Sequence, residues 1–413
     1  MINQNCSLSM WLKKLEKIGE KKTSDLILLK SIAKKLDLLD CKAFIFTVTG
    51  TNGKGTTCAM LERLLLKEGY QVGLYTSPHL FNYRERVRIN GLLLDETEHI
   101  TAFKSIELAR KSFILTYFEF ITLAALHLFR NYSLDIIILE VGLGGRLDAT
   151  NIIDSDISII TNIAIDHSNV LGKTRESIAR EKSGIFRKDT ISVIGEINIP
   201  DIIKKNAIKT HTILKKINVD WHWKKKNDYW NFFHSNIELY KLPLTQIPLS
   251  NAAIALAALY YSGFKIHEDI VRRCISSVKL PGRFQIISTT PYIILDVAHN
   301  PHAASYLSNK LEEMNIKGKI YAVIGILKDK DIIGIINELK NNVHYWFTAP
   351  LQNIRTANKK QLKNTFPIHN TSIFNNINEA YNHAFSMVKK EDIILVFGSF
   401  LTISELFFDK IYE

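Results

Sequence analysis

Three groups of residues in this 413-residue chain have the types and spacing of chemistry rather than of packing. The first is Gly50-Thr51-Asn52-Gly53-Lys54-Gly55-Thr56-Thr57, a lysine and hydroxyls set among glycines. Glycine admits positive φ and lets backbone N–H groups come close to a ligand. A helix N-terminus placed after it adds partial positive charge, so an anion fits there. In that setting Lys54 reaches the β- and γ-phosphates of a nucleotide, and Thr56 or Thr57 offers a hydroxyl to Mg²⁺. The spacing departs from the general phosphate-loop pattern, because only two residues separate Gly50 from Gly53 and Gly55 intervenes before Thr56. The competing reading is a strand–helix turn with a solvated lysine.

The second group is Glu140, Asp166-His167 and Lys182. Glu140 stands near the end of the apolar run Leu134–Val141, where a nucleotide-binding sheet holds its metal carboxylate or where a salt bridge offsets burial. His167 beside Asp166 suits metal or phosphate work, against the alternative of a structural histidine. Lys182, in Glu181-Lys182-Ser183-Gly184, reads by itself as a solvent-facing helical lysine. The third group is Asp296-Val-Ala-His299-Asn300-Pro301, at the carboxyl end of an expected strand. Arg84, Arg86 and Arg88 alternate through Tyr83–Gly91, as an edge strand would, or as an anion grip would.

The elements that position these groups follow from periodicity. Two amphipathic helices are expected around Trp11–Ile18 and Leu26–Leu39. Phe44–Thr49 reads as the strand before the phosphate loop, and the helix after it ends at Gly69. Strands are expected at Gln71–Thr76, Leu134–Val141 and Ile157–Asn162, the second at the centre of a parallel sheet. Helices are expected at Thr97–Lys111, Thr116–Phe129, Thr174–Arg187 and from Asn251. Asp220–His234 alternates aromatic and polar residues, predicting a small antiparallel sheet, with base stacking as the alternative. Leu280-Pro281-Gly282-Arg283-Phe284 breaks the pattern as a hinge. Beyond it, expected strands at Tyr292–Val297, Lys319–Ile324, Val343–Thr348, 371–374 and Ile393–Phe397 alternate with helices.

The expected fold class is therefore α/β. Residues 1–284 form an N-terminal P-loop ATPase-type domain, with a mostly parallel sheet and a small antiparallel subdomain. Residues 285–413 form a C-terminal Rossmann-like domain. A 46% hydrophobic share with 23% charged residues describes an ordinary globular chain. The four cysteines are scattered with no CxxC pair, which points to a reducing compartment and no structural zinc. No secretory signal is apparent, and Phe118–Phe129 is too short to span a bilayer. A cytoplasmic protein is expected. The net charge of +12 is spread along the chain without a recognition motif, so neither nucleic acid nor membrane is expected as a partner.

Taken together, these segments resemble the Mur-ligase superfamily and, within it, the folylpolyglutamate synthase/dihydrofolate synthase family. The motifs that carry the resemblance are Gly50–Thr56, Thr76-Ser-Pro-His-Leu80, Arg84–Arg88, Glu140–Asn151, Asp166-His167, Glu181-Lys182, Pro281–Phe284 and Asp296–Pro301. It runs from about residue 10 to about residue 405. It implies an ATP-dependent ligase that phosphorylates a carboxylate of a pteroate or folate and lets the amine of L-glutamate attack the acyl phosphate. Thr51, Asn52, Gly53, Lys54, Gly55, Thr56, Asn251, Arg283 and Asp296 would bind ATP. Ser77, Glu140 and His167 would ligate one or two Mg²⁺ ions. Lys54, Lys182 and His167 would be catalytic, with Lys182 carbamoylated, and closure of the two domains would assemble the site. Thr116, Tyr117, Phe118, Glu119, Leu147, Asp148 and Ala149 would line the pteroate pocket, with His299 near phosphate or glutamate. The expected partners are dihydropteroate, folates, L-glutamate and ATP, bound by a monomer.

Three segments depart from the family pattern. Thr23–Leu28 lacks the glycine expected after Asp25-Leu26, Leu401 stands where relatives carry histidine, and Ala349–Arg355 is less regular. The alternatives are a peptidoglycan-precursor amide ligase and a P-loop ATPase without ligase activity.

Overall fold

A computed structural model describes residues 6–18, 26–235, 237–315, 317–366 and 368–407. Thr23, Ser24 and Asp25 lie outside the described residues. The chain divides into two compact units: Met1–Ala164 with Leu171–Val278, and Ile165–Val170 with Lys279–Glu413.

The first unit is built on eight strands: β1 (Phe44–Thr49), β2 (Val72–Tyr75), β3 (Val87–Ile89), β4 (Leu92–Leu93), β5 (Ile136–Glu140), β6 (Ile157–Ile160), β7 (Ile191–Ile194) and β8 (Ile213–Lys216). Their order is β4-β3-β2-β5-β1-β6-β7-β8, parallel from β2 to β8, with β3 and β4 added antiparallel at one edge. Every residue of β5 is buried, as an uninterrupted Ile/Leu run between two parallel neighbours requires. On one side of the sheet the buried helix Tyr117–Arg130 meets Leu8–Ile18 and Glu96–Arg110 through aromatic edges. Trp11 and Phe120 each pack against Phe103, at centroid distances of 5.7 and 5.4 Å. Such contacts add to the area they bury.

A small three-stranded sheet of β9 (Trp221–Lys225), β10 (Tyr229–His234) and β11 (Ile237–Pro243) completes this unit. Trp221, Trp230 and Phe232 are buried, and Phe232 stacks on Tyr260 of the helix Leu249–Ser262 at 5.9 Å. These rings serve the core, and Lys224–Lys226 lie exposed, so the base-stacking reading has no support here.

In the second unit, β12 (Gln285–Thr289), β13 (Tyr292–Leu295), β14 (Ile320–Ile324), β15 (Tyr345–Thr348), β16 (Thr371–Ile373) and β17 (Ile393–Phe397) are ordered β12-β13-β17-β14-β15-β16. Only β12 runs antiparallel. The last strand, β17, returns between β13 and β14, so the loops after those two strands face the kind of crevice where open α/β sheets bind ligands.

Several elements differ from expectation. The helix expected over Thr174–Arg187 stops at Lys182 and continues as a 3₁₀ turn, Ser183–Ile185. The strands β7, β8 and β12 have no counterpart in the periodicity reading. Tyr83–Arg86 is a 3₁₀ turn capped by Asn82, and only Val87–Ile89 forms a strand, next to the edge and paired with both β2 and β4. Among the described residues no helix is long and apolar enough to cross a membrane.

One arginine of that segment is structural. Arg88 donates from Nε and Nη2 to the two carboxylate oxygens of Glu62, at 3.1 and 2.5 Å, and Glu62 is buried on the helix Lys54–Lys67. Removing one partner of such a pair strands a buried charge, at about 3 kcal/mol. Arg88→Ala is therefore expected to lower the unfolding midpoint of the first unit in a urea titration, and Glu62→Gln in the same background should restore part of the loss.

Candidate active site

The phosphate loop is held from outside so that its inner face stays available. Gly53 caps the helix Lys54–Lys67 with φ of 82°, a conformation that favours glycine. A Cβ there would lie 2.4 Å from Oδ1 of Asn251. Asn251 donates to Thr56 Oγ1 at 2.6 Å, and Thr56 donates to the Gly53 carbonyl at 2.9 Å. On the other side, the Asn52 amide donates to Asn162 Oδ1 at 2.9 Å, while its carbonyl accepts from Thr161 Oγ1 at 2.6 Å and Asn162 Nδ2 at 3.0 Å. Thr51 exchanges hydrogen bonds with the backbone of Ala164, both at 3.0 Å. Lys54 is not solvated in the open. Its ammonium curls over the loop and donates to the carbonyls of Gly50 and Thr51, at 3.1 and 3.4 Å.

Glu140, buried at the end of β5, accepts from the Ser77 amide at 3.0 Å. Its Oε2 lies 3.4 Å from where a Cβ on Gly55 would stand. Two expected metal ligands therefore meet beside the phosphate loop. Among the described residues no three His, Cys, Asp or Glu are gathered into a metal cluster. One carboxylate with a serine suits Mg²⁺, which takes its remaining oxygens from phosphates and water.

Lys182 is only 2% exposed, which overturns the solvent-facing reading. The loop after β5 brings it close: Arg146 donates its amide to the Glu181 carbonyl at 2.7 Å and its guanidinium to Glu181 Oε1 at 2.9 and 3.1 Å.

The residues expected to line the pteroate pocket fall into two kinds. Thr116 and Glu119 form a capping box at the start of the helix Tyr117–Arg130, with bonds of 2.7 and 3.2 Å. Asp148 is buried and accepts from Thr150 Oγ1 and from the amides of Leu143 and Thr150, at 2.7, 2.9 and 3.0 Å. Burial pushes its carboxyl up, and these bonds pull it back. Ala149 is buried in the same turn. These four shape the backbone. Phe118, Tyr117 and Leu147 present surface. The Phe118 ring lies so close to Gly142 that a Cβ there would stand 2.5 Å from its edge; Tyr117 is half-buried, and Leu147 is exposed.

His167, Arg283 and Asp296 belong to the second unit. Asp296, half-buried just after β13, accepts from the amides of Phe284 at 2.8 Å and Ala298 at 2.7 Å. Burial raises its carboxyl, and the nearby Arg283 opposes the shift. The Arg283 guanidinium stacks 5.0 Å over the Phe400 ring.

The same unit contains a cluster that the residue pattern only partly indicated. Asp166 accepts from Lys330 Nζ at 2.7 Å, Asn300 Nδ2 at 2.9 Å and the His167 amide at 2.7 Å. His299 Nε2 stands 3.5 Å away. Burial works to raise this carboxyl, but the His299 hydrogen bond and the Lys330 and His167 charges hold it well below the usual range. Lys330 escaped the sequence reading. It lies in Leu327-Lys-Asp-Lys-Asp331, whose only signal is a lysine among charges after the strand β14.

Comparison with known proteins agrees with this arrangement. The chain matches the Mur ligase middle domain over residues 48–261 and the Mur ligase glutamate ligase domain over residues 282–400. It is 67% identical, across the full length of both chains, to a dihydrofolate synthase/folylpolyglutamate synthase of Buchnera aphidicola subsp. Acyrthosiphon pisum. The chain belongs to the dihydrofolate synthase/folylpolyglutamate synthase family of Mur ligases. Two solved structures of the family superpose closely. Escherichia coli FolC in complex with DHPP and ADP gives a TM-score of 0.95 at 45% identity, covering 98% of each chain. A bifunctional folylpolyglutamate synthase/dihydrofolate synthase with Mn, AMPPNP and L-glutamate bound gives 0.93 at 45% identity, covering 97% of each.

Within this family fold, the Gly53 contact makes a direct test. Gly53→Ala forces a Cβ into Asn251 at a positive φ. ADP affinity, measured by calorimetry, should fall about tenfold or more while far-UV circular dichroism stays unchanged.

Proposed function

We propose that this chain is an ATP-dependent ligase that joins L-glutamate to dihydropteroate, giving dihydrofolate, and to tetrahydrofolate, extending its glutamate tail. The observation that carries this reading is the full-length 67% identity to a dihydrofolate synthase/folylpolyglutamate synthase. The phosphate loop with Glu140 and Ser77 beside it supports the same reading. A carboxylate is a poor electrophile, so ATP must first convert it to an acyl phosphate. The amine of glutamate then attacks the acyl carbon, and the tetrahedral intermediate collapses to amide and inorganic phosphate.

Residues of this chain meet each requirement. The loop Thr51–Thr56 cradles phosphate oxygens with backbone amides at a helix N-terminus. Lys54 neutralises charge on the γ-phosphoryl group as it moves. Ser77, Glu140 and His167 are assigned as ligands of Mg²⁺, which when bound supplies charge neutralisation to the transferring phosphate. Relatives with Mn and ATP analogues support a divalent ion. Asn251, Arg283 and Asp296 are assigned to ATP, and Phe118, Tyr117 and Leu147 to the pteroate ring system. Residues 1–284 take the ATP and pteroate roles, and residues 285–413 the glutamate role. A cytoplasmic monomer without nucleic-acid partners fits the even spread of charge.

Lys182 is assigned as a carbamoylated lysine. Its burial supports this, because a buried lysine that condenses with CO₂ becomes a carboxylate able to orient an acyl phosphate or a metal. Purified protein given ATP, Mg²⁺, dihydropteroate and glutamate should release phosphate and form dihydrofolate in equal amounts. Folded protein that forms no amide would overturn the proposal. Lys182→Ala should lower kcat by about a hundredfold, with partial recovery on adding short carboxylic acids. Full activity in that variant would rule out the carbamate.

A further inference from the structure

Of the three arginines in Tyr83–Gly91, only Arg88 has an acidic partner among the described residues. Arg88 is paired with Glu62, and Arg84 is half-buried beside His99. Arg86 is 7% exposed, yet among the described residues it forms no ion pair. Its single side-chain hydrogen bond runs from Nε to Nδ1 of His79, at 2.8 Å. The guanidinium otherwise faces the Tyr117 ring, 5.8 Å from the centroid. A cation this buried is costly unless paired, and a single aromatic face offsets only part of the cost.

The carboxylates nearby are engaged elsewhere. Glu85 accepts from the amides of Leu80, Phe81 and Asn82, at 2.7, 2.9 and 2.6 Å. Glu140 accepts from Ser77. His79 reinforces the arrangement as an acceptor. Its Nδ1 takes the Nε–H of Arg86 and brings no negative charge to the guanidinium.

The position of Arg86 connects the two halves of the first unit's site. Its carbonyl accepts from the Thr76 amide at 2.9 Å, next to Ser77 and hence to Glu140. Its side chain lies over Tyr117, at the start of the helix that carries Phe118. A planar fork with two N–H edges free for a planar anion, set between phosphate chemistry and an aromatic wall, matches a carboxylate attached to an aromatic ring.

We propose that Arg86 binds the carboxylate of the pteroate-type substrate and holds it for phosphorylation, an inference that rests on the ligase reading above. Arg86 thereby selects for an ionised acid at the end of the ring system. Only the substrate supplies the missing negative charge, so an uncharged analogue leaves the arginine stranded.

The test uses the full chain and two probes, dihydropteroate and its primary carboxamide, with binding followed by quenching of protein fluorescence. Wild type should bind the acid at least tenfold more tightly than the amide. Arg86→Gln should bind the two within twofold of each other, because it loses acid affinity and leaves amide affinity nearly unchanged. A purely structural role would weaken both probes equally and preserve the ratio, overturning the proposal. Should Arg86→Gln lose its near-UV circular dichroism, Arg86→Lys takes its place. Lysine keeps the charge but not the fork, so the preference should fall fivefold or more, and an undiminished preference overturns the proposal. Wild type that binds acid and amide equally also overturns it, while leaving the ligase reading intact. Wild type that binds neither probe overturns both.

Discussion

The pinning of Asn52 is the constraint on which the nucleotide end of the first unit depends. Its carbonyl accepts two side-chain hydrogen bonds from Thr161 and Asn162, and its amide donates a third. A glycine-rich loop by itself is entropically soft. Tying it to the end of β6 on one flank, and to Asn251 through Thr56 on the other, leaves the helix-terminal amides after Gly53 facing a common point. The first amides of any helix lack intrahelical partners, and here they are concentrated beside a buried carboxylate. The phosphate loop and the carboxylate of Glu140 thus share one fixed backbone.

The second unit is organised on a different principle. Asp166 is nearly surrounded by donors: an ammonium, an amide side chain and a backbone N–H, with an imidazole close by. Each satisfied donor lowers the cost of burying the others. Asn300 contributes twice, because its Oδ1 also caps the helix Pro301–Glu313 through the Ala303 amide at 2.9 Å. The orientation of that helix and the seating of the residues after Asp166 are thereby coupled through one side chain.

Much of this was legible in the sequence, and the reasons are specific. The phosphate loop, Glu140 at the end of an all-apolar strand and the alternation after residue 286 each carry a local signal in residue type and period. Lys182 was misread from its local pattern because helical periodicity near a charged terminus says nothing about a partner loop. Only Arg146 reaching back to Glu181 reveals that the segment is covered. Thr116 and Glu119 look like ligand contacts in a motif, and the structure gives them capping bonds, a local role the S/T-x-x-E spacing also encodes. Lys330 was missed because its partner Asp166 is 164 positions away, and pattern reading has no access to such distances. The strands β7 and β8 have four residues each and β8 and β12 are largely unburied, so none of the three shows the long apolar run that marks β5.

The excursion Ile165–Val170 carries one further consequence. The chain leaves the first unit after Ala164, contributes six residues to the second, and returns at Leu171 before departing again after Val278. The two units are therefore not beads on a string. No single cut in the chain yields two intact halves, since a fragment ending at Val278 would carry Asp166 away from Lys330 and Asn300. Inheritance of the two units is expected to be joint, with compensating changes between 165–170 and 299–330 rather than independent drift.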